Sequence, residues 1–140
     1  MLKEILSISG KPGLQKLISN SANAIIVESL VDGKRFPAYS NSKIIALEDI
    51  SIYTENEDLP LKDVFKRIYE KQNGAQTLNH KDATENIVTY FGEIVPEYDK
   101  DRVYVSDMRK IIQWYNLLNE KGYLKFQEEE EEEKKEAESK

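Results

Sequence analysis

A chain of 140 residues, 39% hydrophobic and 33% charged, carries enough apolar surface for one compact domain, or two small subdomains sharing a core, without covalent staples. Cysteine is absent and His80 is the single histidine, which excludes disulfides, thiolate catalysis, Cys-ligated metal sites and any multi-histidine cluster within one chain. The net charge of −6 is concentrated at one end: eight acidic residues and three lysines between 128 and 140 carry −5 of it, so the overall acidity says little against a nucleic-acid partner for the rest.

The opening segment, Met1 to Ser7, contains Glu4 and lacks the apolar run of a leader, and no stretch approaches the ~20 apolar residues of a membrane span. A cytoplasmic protein without membrane attachment is expected. Ser9-Gly10-Lys11-Pro12-Gly13 is a turn cluster, followed by a first strand over Leu14–Ser19. Ala24–Val31, rich in β-branched residues, predicts the clearest strand. Asp32-Gly33 then predicts a type I′ hairpin turn, which wants positive φ at both central positions. The returning strand is Lys34–Tyr39, where Pro37 removes a donor and so points to a sheet edge or a bulge. Ile44–Leu47 and Ile50–Tyr53 read as further strands, with a bend at Glu48-Asp49.

After Leu59-Pro60 the period changes. Leu61, Val64, Phe65, Ile68 and Tyr69 form one helical stripe, with Asp58 as expected N-cap and Asn73-Gly74 as the stop. A second helix is expected from Asn79 or Lys81, carrying Ile87, Tyr90, Phe91 and Ile94, limited by Pro96. A third, capped by Ser106, places Met108, Ile111, Ile112, Tyr115 and Leu118 on one face and ends at Gly122. Trp114 falls on the flank of that stripe, where a tryptophan either seals the helix against its neighbour or anchors a partner. Tyr123–Phe126 reads as a short strand or a cap on the core. From Glu128 onward, six consecutive glutamates and a lysine-glutamate remainder have nothing to bury and predict disorder.

Motifs with chemical content are few. Ser9-Gly10-Lys11 has the end of a phosphate-binding loop, but Ile5 stands where that loop needs glycine and Pro12 where it needs Ser or Thr. His80 lacks an orienting carboxylate and a nucleophile at useful spacing. The acidic clusters at 48–49, 55–58 and 99–101 lack the spacing of a calcium loop and read as turns and helix starts. No catalytic, cofactor-binding or metal-ligating residue is therefore assigned. Lys34, Arg35 and Lys43, near Phe36, Tyr39 and Tyr53, have the pairing of cations and rings that single-stranded nucleic acid uses. Alternation puts Arg35 and Tyr39 on the side opposite Phe36, making Tyr39 the better stacking face.

Four segments are distinctive together: Met1–Leu14, Asp32–Tyr39, Ala46–Thr54 and Arg102–Met108. On them the chain, over about residues 1–126, resembles an uncharacterised protein family of Bacteroidota bacteria, a domain of unknown function. The resemblance implies no activity, ligand or catalytic residue.

The expected architecture is α+β. A small SH3-like β-barrel or curled antiparallel sheet at 1–56 precedes a three-helix domain at 58–126 and a disordered acidic tail at 127–140. The expected role is that of a noncatalytic binding or adaptor protein, without cofactor, acting on a protein partner. The alternative is RNA or DNA binding through the β-rich half, with Lys34, Arg35, Tyr39 and Lys43 as contacts.

Overall fold

The computed structural model describes residues 2, 4–11, 13–39 and 42–124; the tail expected at 127–140, together with Pro12, Lys125 and Phe126, lies outside them. Five strands, β1 (Ile5–Ile8), β2 (Gln15–Asn20), β3 (Ala24–Ser29), β4 (Arg35–Tyr39) and β5 (Ile44–Ala46), form an antiparallel sheet in the order β4-β3-β2-β1-β5. β4 and β5 are its two edges and do not pair, so the sheet is open and the SH3-like barrel is not formed. Closure would need β5 to bond two neighbours, and its three residues give way after Ala46 to a 3₁₀ turn at Leu47–Asp49, the bend expected at Glu48-Asp49.

Curl takes the place of closure. Leu6, Ile8, Val27 and Ala38 are buried together on the inner face, with Phe36 of β4 and Ile44 of β5 packed against them. Side chains from the two edge strands thus share one small core. A register shift between Leu17 and Ser19 marks an irregularity in the β2–β3 ladder, which increases local twist.

β1 is a strand that the sequence reading does not contain. Its four residues are held on both sides, by β2 and by β5, so its stability is tertiary rather than local. Gly33 has φ +75°, as the hairpin requires, but the connection is longer than a type I′ turn. Ser29 N–H donates to the Lys34 carbonyl and Gly33 N–H to the Ser29 carbonyl, each at 2.9 Å. Four residues, 30–33, therefore lie between the bonded pair Ser29 and Lys34, and Asp32 lacks positive φ. The reason is Leu30, which is buried in the main core and donates its N–H to the Leu14 carbonyl, drawing the chain past the tight turn. Pro37 sits on the edge strand, as expected.

The second half begins with a two-stranded ribbon, β6 (Ser51–Ile52) against β7 (Leu59–Pro60), and continues as α1 (Leu61–Lys71), α2 (Thr84–Ile94) and α3 (Val105–Glu120). Asp58 does not cap α1; Pro60 precedes it, and Leu61 N–H is taken by the Ile50 carbonyl at 2.9 Å. α2 starts later than expected because Asn79 Oδ1 accepts the Lys81 N–H and Asp82 Oδ1 the Ala83 N–H, turning the backbone before Thr84. α3 is preceded by Tyr104 rather than Ser106, with Asp107 Oδ2 accepting the Tyr104 N–H at 3.0 Å. Asn73 and Gly74, at φ 51° and 80°, end the α1 segment as expected. Phe65, Ile87, Phe91, Ile112, Tyr115 and Leu118 make the centre of the main core. Leu2, Ile5, Leu14, Leu30 and Leu47 join it from the sheet side, and Leu124 caps it. Among the described residues no helix is long and apolar enough to cross a membrane.

Candidate functional site

The residues expected to contact a partner or nucleic acid fall into two pairs. Lys34 and Arg35 stand at the start of β4, and Arg35 Nε lies 3.3 Å from Glu28 Oε1 on β3. Tyr39 ends the same strand, roughly 13 Å away at strand rise, with 56% of its surface exposed. Lys43 is exposed just before β5. It shares an end of the sheet with Tyr39, because Ser42 N–H donates back to the Tyr39 carbonyl. The alternation holds: Arg35 and Tyr39 are exposed, whereas Phe36 and Ala38 face the inner core. The structure joins Tyr39 with Lys43, and Lys34 with Arg35, but does not bring all four together.

A second surface has more shape. Where the outer face of β5 meets the first turns of α3, a groove of about 260 Å³ is lined by Ile45, Ile50, Ile52, Tyr53, Val103, Ile111 and Trp114. Its polar groups are Ser51, Arg102, Asp107 and Lys110. Two ordinary features of the sequence create it. Ile44 and Ala46 face the inner core, so strand alternation turns Ile45 outward, where 53% of it is exposed. On α3, Ile111 is buried in the stripe while Trp114 lies on its flank, half-buried. Trp114 both packs against the core and walls the groove.

The charges around the groove are unequal in freedom. Arg102 lies 4.3 Å over the Tyr53 ring, and its Nε donates to Asp99 Oδ2 at 2.7 Å. That bond holds the Asp99 carboxyl below the usual range and the Arg102 guanidinium above its own. Asp107 is occupied by the Tyr104 N–H. Lys110 is exposed and has no ion pair among the described residues. The groove thus pairs an apolar floor with one uncommitted cation.

Size decides between ligands. Sites that enclose a drug-sized molecule run to about 300–1,000 Å³, so 260 Å³ suits one or two apolar side chains better than a whole cofactor. Sequence reasoning singled out Trp114, and Tyr53 as a ring near the cations of the β-rich half, but missed Ile45, Arg102 and Lys110. The paired isoleucines at 44 and 45 were the available signal, since a strand buried on one face must turn one of them outward.

Residues 2–47 match a domain of unknown function (DUF5606), and residues 50–118 match another (DUF6852). No curated protein matches. A solution NMR structure from Bacteroides vulgatus, a structural genomics target, is 46% identical, with 90% of this chain and 91% of that one covered and a TM-score of 0.73. The chain therefore belongs to the uncharacterised Bacteroidota family in which these two domains of unknown function follow one another.

Proposed function

We propose that this is a noncatalytic binding or adaptor protein of the cytoplasm, and that it works by protein–protein interaction through the groove between β5 and α3. The observation that carries the reading is the pairing of exposed Ile45 with half-buried Trp114 over an apolar floor. An aromatic anchor in a recess, with a charged rim, is the usual centre of an interface. Affinity capture from the native cell, with the wild-type chain and with Ile45→Asp, tests it. A partner held by the wild type, resistant to nuclease and lost with Ile45→Asp, is expected. Capture indifferent to that substitution would overturn the reading.

RNA or DNA binding through Lys34, Arg35, Tyr39 and Lys43 is the second reading, favoured by the exposure of Tyr39 beside Lys43. It ranks behind the first because Arg35 is already paired with Glu28 and the four residues are divided between the two ends of β4. Nuclease-sensitive capture that fails on Arg35→Glu and Lys43→Glu, with steep salt dependence, would reverse the ranking.

A further inference from the structure

The two edges of the sheet are not equivalent. In an antiparallel ladder, successive residues direct their N–H and C=O alternately to one neighbour and then the other. The Ser9 N–H bond to the Lys43 carbonyl fixes that parity for β5: Ser7 and Ile45 face each other as a bonded pair. The N–H and C=O of Ile44 and the N–H of Ala46 therefore point away from β1, to an edge with no strand partner among the described residues, while the Ala46 carbonyl opens the 3₁₀ turn. On β4 the same count, set by the Ser29–Lys34 bond, turns Arg35, Pro37 and Tyr39 to the outside. That edge is blunted by a missing donor at Pro37 and a charge at Arg35, two devices that oppose strand addition. β5 carries neither.

A strand laid along β5 would send the residues level with Ile45 to the Ile45 side, which is the groove side. Residues two apart on such a strand share that face and are separated by about 7 Å. Lys110 and Trp114 are neighbours on one face of α3, four residues and about 6 Å apart along its axis. The spacings match. An apolar side chain seated between Ile45 and Trp114 would set the residue two positions away beside Lys110, the uncommitted cation.

Building on the groove reading, we propose that the partner is an extended peptide segment that adds to the free edge of β5. It carries an apolar residue for the Ile45–Trp114 recess and a carboxylate two residues away for Lys110. Recognition is of the strand-addition type, with main-chain bonds to Ile44 and Ala46 supplying affinity and the recess and the cation supplying specificity.

The test is an mRNA-displayed library of random dodecapeptides, selected on the immobilised full chain and counter-selected on Ile45→Asp. Enriched peptides should show an aliphatic or aromatic residue with Asp or Glu two positions away. The enriched peptide, made synthetically, should slow hydrogen exchange at the amides of Ile44 and Ala46 while leaving Ile45, already facing Ser7, little changed. Lys110→Glu should weaken it about fivefold, and a lysine-for-acid version of the peptide should regain the loss. Binding that leaves the Ile44 and Ala46 amides unprotected would overturn strand addition. Enrichment of peptides without the acid would overturn the charge assignment. No enrichment over the Ile45→Asp control, or self-association of the chain that Ile45→Asp abolishes, would overturn the peptide altogether. Partner capture dependent on Ile45 would still stand in each of these cases, so the groove reading fails only on its own experiment.

Discussion

At Gly33 the backbone holds φ +75°, and an added Cβ would meet nothing within 4 Å, so a substitution there isolates conformational strain from packing. Gly33→Val should lower stability by about 1–2 kcal/mol, read as a shifted urea midpoint at unchanged slope; an unshifted midpoint would contradict the left-handed turn. Tyr115 offers a test at the other extreme of burial. It is fully buried, its hydroxyl donates to the Ala75 carbonyl at 2.8 Å, and burial pushes its phenol up to about 12 from an ordinary 10.0. The folded chain keeps that proton longer than the unfolded chain does. The resulting stability is complete below pH 10 and is lost as pH rises through the folded value near 12. Tyr115→Phe should cost about 1 kcal/mol near neutrality and flatten the decline above pH 10; denaturation curves that fall equally steeply in both proteins would contradict the assignment. The positive φ of Gly33 was legible because the Asp-Gly pair states a local need. The exposure of Ile45 was legible only in retrospect, once Ile44 and Ala46 were known to face a core.

At the scale of elements, α3 does more than bury a stripe. Arg109 donates to the His80 and Asp82 carbonyls at 2.7 and 2.8 Å and to Thr84 Oγ1 at 3.0 Å. Asn116 accepts the Thr77 N–H and donates to the Leu78 carbonyl. These bonds pin the connection between α1 and α2 along one side of α3. Arg109→Met, which keeps the stem and removes the donors, should cost about 2 kcal/mol. It should also speed amide exchange at Lys81 to Ala83, and unchanged exchange there would show that the clamp is not what orders the connection. Helical periodicity gave the existence of all three helices, because each buries a stripe whatever its neighbours are. The starts of α1, α2 and α3 were misplaced because bonds outside simple capping set them: the Ile50 carbonyl for α1, side-chain turns at Asn79 and Asp82 for α2, and Asp107 reaching back to Tyr104 for α3.

For the molecule as a whole, strand composition led to the α+β class, but the sheet's order and openness depend on pairings that no local pattern encodes. β5 joins β1 from far along the chain, and Leu2, Ile5, Leu14, Leu30 and Leu47 tie the sheet to the helices through one core. The groove is a product of that docking: Ile45 comes from the sheet and Trp114 from α3, and neither alone signals a site. The nucleic-acid reading drew on residues adjacent in sequence, which the strand then spreads along its length. The most direct measurement is an amide and indole shift map of the labelled chain on addition of its captured partner. The account predicts the largest changes at Ile44, Ile45, Ala46, Lys110 and the Trp114 indole. Changes centred instead on Lys34, Arg35, Tyr39 and Lys43, with the Trp114 indole unmoved, would contradict it.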